Sequence, residues 1–202
     1  MNLIHTNYNY SCYKPAFNGE YLGKVDIKAK NNAGEVVPKK VSAVKLDMNY
    51  LPDLEAVEQA TKKWDKDKNS GYYAADIQEC ARKDYKALHH KSETNHIFYM
   101  LTLQTRNFER IKPDKILGIA VIEKMEDEER DELKWLQGNP EYTYFAKAPR
   151  QYSGIGKSLV QFIRNYGGKP LDVTIYPKTL DFYKNCGFKH PDKNDLTHLV
   201  LD

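Results

Sequence analysis

The sequence has few cysteines: three in 202 residues, at Cys12, Cys80 and Cys186. They are odd in number and widely spaced. They therefore match neither the framework of a disulfide-stapled secreted domain nor the paired spacing of a zinc finger. A reducing compartment is the simplest interpretation, and the sequence alone predicts no metal site.

Long apolar runs and a strong charge imbalance are also lacking. No apolar stretch approaches the roughly 20 residues that a membrane-spanning helix needs. The first residues have neither the basic segment nor the apolar core of a signal peptide. The formal net charge of +3 is too small to predict a nucleic-acid surface. We therefore expect a cytoplasmic protein with no membrane partner, and nucleic acid is disfavoured as a partner.

What is present is the composition of a globular protein. Hydrophobic residues make up 41% of the chain and charged residues 29%, which is enough apolar surface to bury a core. We expect residues 1–40 to form an N-terminal extension with a probable β-hairpin strand, and residues 41–202 to form the main domain.

The hydrophobic periodicity predicts alternating strands and helices, and we interpret the chain as α/β (α+β). Because several strands follow one another before a β-α-β-α-β run, we expect a mixed, mostly antiparallel central sheet with helices on both faces. The predicted strands are Tyr21–Lys30, Val36–Met48, Ile97–Thr105, Ile116–Lys124, Glu132–Gly138, Leu171–Tyr176 and Thr197–Leu201. The predicted helices are 52–66, Tyr72–His90, Gly156–Tyr166 and a short one from Pro177 to Cys186.

A glycine-bearing turn leads directly into an amphipathic helix. The segment runs Gln-Tyr-Ser-Gly-Ile-Gly-Lys-Ser over residues 151–158. Its two glycines let successive backbone N–H groups point at one spot, and the helix adds the positive end of its dipole. We predict a phosphate-binding turn. It is not a P-loop, because that motif needs a glycine five residues before Gly156, where Gln151 stands.

A second motif, Phe-Tyr-Lys-Asn-Cys-Gly-Phe, follows at residues 182–188 on the last predicted helix. Tyr183 precedes Gly187 by four residues, and Gly187 suits a helix C-cap. A third segment, Leu133 to Pro140, runs Leu-Lys-Trp-Leu-Gln-Gly-Asn-Pro. Together with the Gln-x-x-Gly-x-Gly pattern of the turn, these motifs resemble the GCN5-related N-acetyltransferase (GNAT) family over roughly residues 41–201.

The resemblance implies a GNAT-like fold in which two strands splay apart to bind acetyl-coenzyme A (acetyl-CoA). It implies that backbone groups of the splayed strand hold the pantetheine arm and that the amides of the glycine turn hold the pyrophosphate. The implied cofactor-binding residues are Leu136, Gln137, Gly138, Gln151, Tyr152, Ser153, Gly154, Ile155, Gly156, Lys157 and Ser158.

Two catalytic roles are carried over from the family positions. Tyr183 would protonate the leaving thiolate as a general acid. Glu132 would take the proton of the amine, with Asp131, Glu123 or a water molecule as rivals for that role. One amide among residues 136–138 would polarise the thioester carbonyl.

The sequence departs from the family pattern before the turn. Ten residues, 141–150, separate Pro140 from Gln151, where about three are usual, and Gly138 replaces a branched apolar residue. An alternative alignment makes Tyr142 to Pro149 the splayed strand, which would shift the proposed amide and base. We prefer the alignment on Leu133 to Pro140.

Two possible metal motifs are set aside. The segment 65–71 resembles a calcium loop, but its glycine is one place late and position twelve is Asp76 rather than Glu. The histidines His89, His90 and His96 show no convincing ligand spacing.

The leading interpretation is an acetyl-CoA-dependent N-acetyltransferase acting on a primary amine of a small molecule or a peptide. The alternative is a catalytically silent GNAT-fold protein that binds acyl-CoA or regulates. The sequence leaves the acceptor, the acyl-chain preference and a homodimer open.

Overall fold

The computed structural model describes residues 18–65, 73–105, 111–126, 128–143, 149–192, 195 and 197–202. Outside these ranges lie residues 1–17 with Cys12, most of the segment 65–71 and the middle of the segment 141–150. The strands are β1 Glu20–Lys30, β2 Val36–Leu46, β3 His96–Thr102, β4 Ile116–Glu123, β5 Asp131–Gly138, β6 Tyr152–Ser153, β7 Leu171–Thr174 and β8 His198–Leu201. The helices are α1 Leu51–Asp65, α2 Ala74–His89, α3 Ile155–Gly167 and α4 Leu180–Cys186.

The eight strands form one sheet in the order β6-β1-β2-β3-β4-β5-β7-β8. Every neighbouring pair is antiparallel except β5 and β7, which run parallel. The fold prediction of a mixed, mostly antiparallel sheet is therefore confirmed. Residues 20–40 supply β1 and the first part of β2 to this same sheet.

Side chains of the central strands alternate between two cores, one on each face of the sheet. Ala43, Tyr99 and Leu101 face the core that α3 and α4 cover. Their chain neighbours Val44 and Met100 face the core that α1 and α2 cover. This period of two is what a strand buried on both faces requires, and it confirms that helices lie on both faces.

One short strand was not predicted from the sequence. Tyr152 and Ser153, which we assigned to the glycine turn, pair with Ala29 and Lys28 of β1 at the sheet edge. Two residues are too few to show an alternating pattern, so this pairing has no local signature. It carries the chain across the sheet from β5 to β1 before α3 returns.

None of the helices in the described ranges combines the length and the apolar composition that crossing a bilayer demands.

The first turn of α1 contains a carboxyl group that is fully buried. Asp53 has 0% exposure; its Oδ2 accepts a hydrogen bond from the Asp47 amide at 3.0 Å, and its Oδ1 has no partner among the described residues. Burial is the largest influence and raises the pKa of Asp53 from 3.8 to about 7, against backbone hydrogen bonds that lower it.

We expect Asp53→Asn to stabilise the protein at pH 8 but not near pH 4. Since the pKa of Asp53 is higher in the folded state, the native protein binds more protons, and wild-type stability falls as pH rises from about 4 to about 7. Asn stays neutral throughout. Urea unfolding at both pH values measures the difference, with the exposed Asp65→Asn as control. A stability gain of equal size at both pH values would contradict a buried, protonated Asp53.

Candidate active site

The parallel strands β5 and β7 are paired at only two positions. Asp131 lies opposite Leu171 and Glu132 opposite Asp172, after which the two strands separate. From Leu133 onward, one edge of β5 has no neighbouring strand among the described residues. The backbone groups on that edge are therefore available to a ligand that lies along it like an extra strand.

The register of β5 against β4 determines which backbone amides of β5 face the gap between β5 and β7. The Asn139 amide donates to the Leu117 carbonyl at 2.8 Å, and Gly138 lies opposite Gly118. Hydrogen-bonded and non-hydrogen-bonded pairs alternate in an antiparallel ladder. The amides of Leu136 and Gly138 therefore point into the gap, whereas that of Gln137 points to β4.

A cavity of about 420 Å³ opens at this gap. Its walls come from the end of β5, the segment that follows it, the start of α3 and the start of α4. They include seven of the predicted cofactor residues, Leu136, Gln137, Gly138, Gly154, Ile155, Gly156 and Lys157. The sequence motifs thus meet at one cavity although they are separated along the chain.

The N-terminus of α3 forms one end of the cavity. Gly154, the residue before the helix, has a left-handed backbone with φ of 76°, a conformation that favours glycine. It brings no side chain to cap the helix, while its carbonyl accepts the Ser158 amide at 2.8 Å. The first amides of α3 consequently have no intrahelical acceptor, and they offer donors to an anion.

Gly156 is required for a different reason. A Cβ atom added there would lie 3.1 and 3.3 Å from two ring carbons of Phe182 and 3.8 Å from a methyl group of Leu136. Phe182 and Leu136 both line the cavity. A side chain at this position would therefore push the Phe182 ring and narrow the space in front of the helix amides.

The charges around the cavity favour an anion. Lys157 and Arg150 line it, and none of the described lining residues is acidic. The sequence reading did not select Arg150, although the residue immediately precedes the glycine turn. It also missed the aromatic and hydroxyl-bearing walls supplied by residues 73, 142, 143, 179 and 182, because these depend on how distant segments pack.

The four remaining predicted cofactor-binding residues mainly attach the glycine turn to the sheet. They are Gln151, Tyr152, Ser153 and Ser158. The Gln151 carbonyl accepts from the Lys30 amide at 2.9 Å, and Ser158 Oγ donates to the Asp26 carbonyl at 2.8 Å. Tyr152 is buried in the core. Gln151 and Ser153 line a small neighbouring cavity that shares Arg150 with the main one.

Tyr183 lies where the main cavity meets a second one of about 230 Å³, and it lines both. Its ring is 8% exposed and packs edge-on against Phe182 and Phe188 at 5.0 and 5.4 Å between centroids. Burial raises the pKa of Tyr183 above its usual range, with smaller contributions from Tyr73 and Cys186. The hydroxyl is therefore protonated at neutral pH, as a proton donor must be.

The second cavity separates the rival carboxylates. Glu132 lines it. Asp131 is buried and accepts from the Met125 amide at 3.3 Å. Glu123 lies outside it. Lys134 Nζ bridges the two acids. It lies 2.7 Å from the carboxylate of Glu123, outside the cavity, and 3.1 Å from the carboxylate of Glu132, which lines it.

The strand β5 separates from β7, as the preferred alignment expects. Tyr142, the first residue of the alternative strand, lies in a 3₁₀-helix, Pro140–Tyr142, capped by Asn139, and residues 144–148 of that alternative lie outside the described residues. Of the three amides that the preferred alignment selected, those of Leu136 and Gly138 face the gap, and that of Gln137 faces β4.

No protein-family model matches the chain, and neither does any curated protein sequence. The fold is similar to that of Escherichia coli ElaA, with 16% identity and a TM-score of 0.46 over 80% of this chain and 97% of the other. It is also similar to a candidate N-acetyltransferase from Lactobacillus plantarum, with 13% identity and a TM-score of 0.46 over 80% and 94%. A third similarity is to Tetrahymena GCN5, with 11% identity and a TM-score of 0.45 over 88% and 95%.

Proposed function

We propose that this chain is a GNAT-family N-acetyltransferase that moves the acetyl group of acetyl-CoA to a primary amine. The observation that carries the proposal is the meeting of two cavities at Tyr183 in the gap between β5 and β7, with the first amides of α3, which have no intrahelical acceptor, at the end of the larger cavity. A thioester donor and an amine acceptor must approach one reacting carbon, and this arrangement supplies two chambers that share one wall.

The donor fits the larger cavity chemically. The pyrophosphate would accept from the first amides of α3, with Lys157 and Arg150 adding positive charge. The amide-bearing pantetheine arm would pair with the free edge of β5. Leu136 or Gly138 would then direct one N–H at the thioester oxygen, a contribution on the order of 2.7–4 kcal/mol by analogy with other single oxyanion donors.

The acceptor would enter through the smaller cavity. Its walls are aromatic, with Tyr73 and Trp135 at 5.3 Å between ring centroids and Tyr176 exposed beside them. Glu132 supplies a carboxylate that attracts an ammonium group. A volume of about 230 Å³ suits a small amine or a lysine-like side chain with an apolar stem.

Transfer would proceed by direct attack. The amine loses a proton to Glu132, directly or through water, and its nitrogen forms a bond to the acetyl carbon. The carbon–sulfur bond then breaks, and Tyr183 donates its phenolic proton to the departing thiolate. The second proton leaves the nitrogen and returns through water to the Tyr183 phenolate, while Glu132 releases its proton to solvent. The products are the acetylated amine and the free thiol of coenzyme A.

One observation favours the silent, binding-only alternative. Glu132 is already engaged by Lys134, so an acceptor ammonium group must compete with Lys134 for the same carboxylate. The proposal therefore needs the Lys134 contact to loosen when an acceptor amine arrives.

The setting of the proposed enzyme remains a prediction. The described cysteines Cys80 and Cys186 are free thiols, and the cytoplasmic location is proposed from the sequence.

Thermal unfolding with and without acetyl-CoA, followed by thiol release with a library of amines, tests the function. We expect acetyl-CoA to raise the unfolding midpoint and at least one small amine to support thiol release. Gly156→Ala should bind acetyl-CoA more weakly because the cavity narrows. Stabilisation without any turnover would favour the silent module, and no stabilisation would eliminate both.

We expect Tyr183→Phe to lower kcat by on the order of 10²-fold with little change in acetyl-CoA affinity, because only proton donation to sulfur is lost. The ring and its contacts with Phe182 and Phe188 are retained. Steady-state kinetics and direct binding measurements separate the two quantities. Equal turnover in the variant would remove Tyr183 from the mechanism.

Glu132→Gln should lower kcat/KM by on the order of 10²-fold or more and remove the limb of the pH profile that belongs to the base. Glu123→Gln is the matched control, because it removes the other carboxylate on Lys134 from outside the cavity. Similar losses in both variants would indicate a shared structural role rather than proton transfer by Glu132.

A further inference from the structure

Three side chains with metal-binding atoms meet where α2 packs against the beginning of β3. Cys80 and Asp84 are four residues apart on α2 and so lie on one helix face; His96 is the first residue of β3. The Cys80 sulfur, an Asp84 carboxylate oxygen and a His96 ring nitrogen all lie within 4.8 Å of one another. None of the three lines either cavity of the candidate active site.

Asp84 is the least satisfied member of this cluster. Its side chain is 6% exposed. One oxygen, Oδ1, lies 2.9 Å from His96 Nδ1, while the buried Oδ2 has no hydrogen-bond partner among the described residues. A buried carboxylate oxygen without a partner is costly, and a cation in the cluster would remove that cost.

The second ring nitrogen of His96, Nε2, has a carboxylate neighbour of the kind that often accompanies a metal-binding histidine. Nε2 lies 3.9 Å from Glu123 Oε1, across the β3–β4 pairing that sets these two residues opposite each other. An imidazole that binds a metal through one nitrogen commonly presents the other to a carboxylate, which orients the ring.

We propose that Cys80, Asp84 and His96 bind a divalent transition-metal ion of the zinc type. A mixed set of sulfur, nitrogen and oxygen donors suits zinc, whereas magnesium and calcium prefer oxygen alone. Zinc bonds of about 2.0–2.3 Å would place the ligand atoms roughly 3.3–3.6 Å apart, so the Asp84–His96 contact must open by about half an ångström. A water molecule completes the fourth position.

Binding replaces the hydrogen bond between Asp84 and His96 by two metal bonds. It releases to solvent the Cys80 thiol proton and the proton that His96 Nδ1 shares with Asp84, while Nε2 keeps its proton toward Glu123. Thiolate and carboxylate charges together balance the charge of the ion, which favours its partial burial. The ion would staple α2 to the sheet, so its effect is on stability. Since α2 begins beside Tyr73, which lines both cavities, the bound ion would also stabilise the wall of the cavity through which the acceptor enters.

Cobalt(II) titration of the chelator-treated, full-length protein tests the site. We expect one ion per chain, a thiolate-to-cobalt charge-transfer band in the near ultraviolet, and visible bands with the intensity typical of tetrahedral cobalt. Zinc should displace the cobalt and raise the unfolding midpoint. Absence of the charge-transfer band would overturn the proposal and leave a hydrogen-bonded trio without a metal.

The variants assign the ligands. Cys80→Ser should abolish the charge-transfer band, and His96→Gln should weaken zinc binding by more than about 100-fold, since losing a supporting residue alone costs about 10–100-fold. Glu123→Gln should show that smaller loss. Cys186→Ser and His90→Gln are the controls and should bind like the wild type, because Cys186 belongs to the core on the other face of the sheet. Circular dichroism reports the fold of each variant. A band that survives Cys80→Ser, or disappears in either control, would contradict the assignment.

Discussion

The separation of β5 from β7 after two paired positions is the constraint on which the rest of the molecule depends. If the parallel pairing of β5 and β7 continued, β7 would hydrogen-bond to the backbone groups of β5 and no gap would remain between the two strands. Because β7 separates from β5, the Leu136 and Gly138 amides have no strand partner within the described ranges, and two cavities open around them. Irregular pairing in the middle of a buried sheet is costly, and this is the kind of local cost that proteins retain at binding sites.

An anion site at the gap also requires that the N-terminus of α3 point there, and the crossing of the chain from β5 to β1 sets this direction. Tyr152 and Ser153 join the far edge of the sheet, and Ser158 is tied to the Asp26 carbonyl. These contacts fix the direction in which α3 returns over the sheet. They aim its N-terminus at the gap, where an anionic ligand would meet both the helix amides and the free edge of β5.

The acids show why chemistry is harder to predict than fold. Asp131 and Glu132 are adjacent, and the alternation of a strand sends them to opposite faces. Only Glu132 reaches the cavity, and Lys134 links it to Glu123 and hence to His96 of the proposed metal site. Neighbours in sequence thus have separate roles, while residues as far apart in the chain as His96 and Lys134 belong to one charged network.

The sequence by itself determined the elements and the glycine turn, because helix and strand periods, Gly154 and the Gly187 cap are local properties. It also indicated that the turn and Tyr183 belong to one site, through their resemblance to a known family. Only the tertiary structure decided that Tyr152 pairs with β1, that the backbone amide of Gln137 points away from the gap, and that Cys80, Asp84 and His96 converge. Those facts depend on long-range packing, which brings together side chains whose spacing along the chain carries no signal.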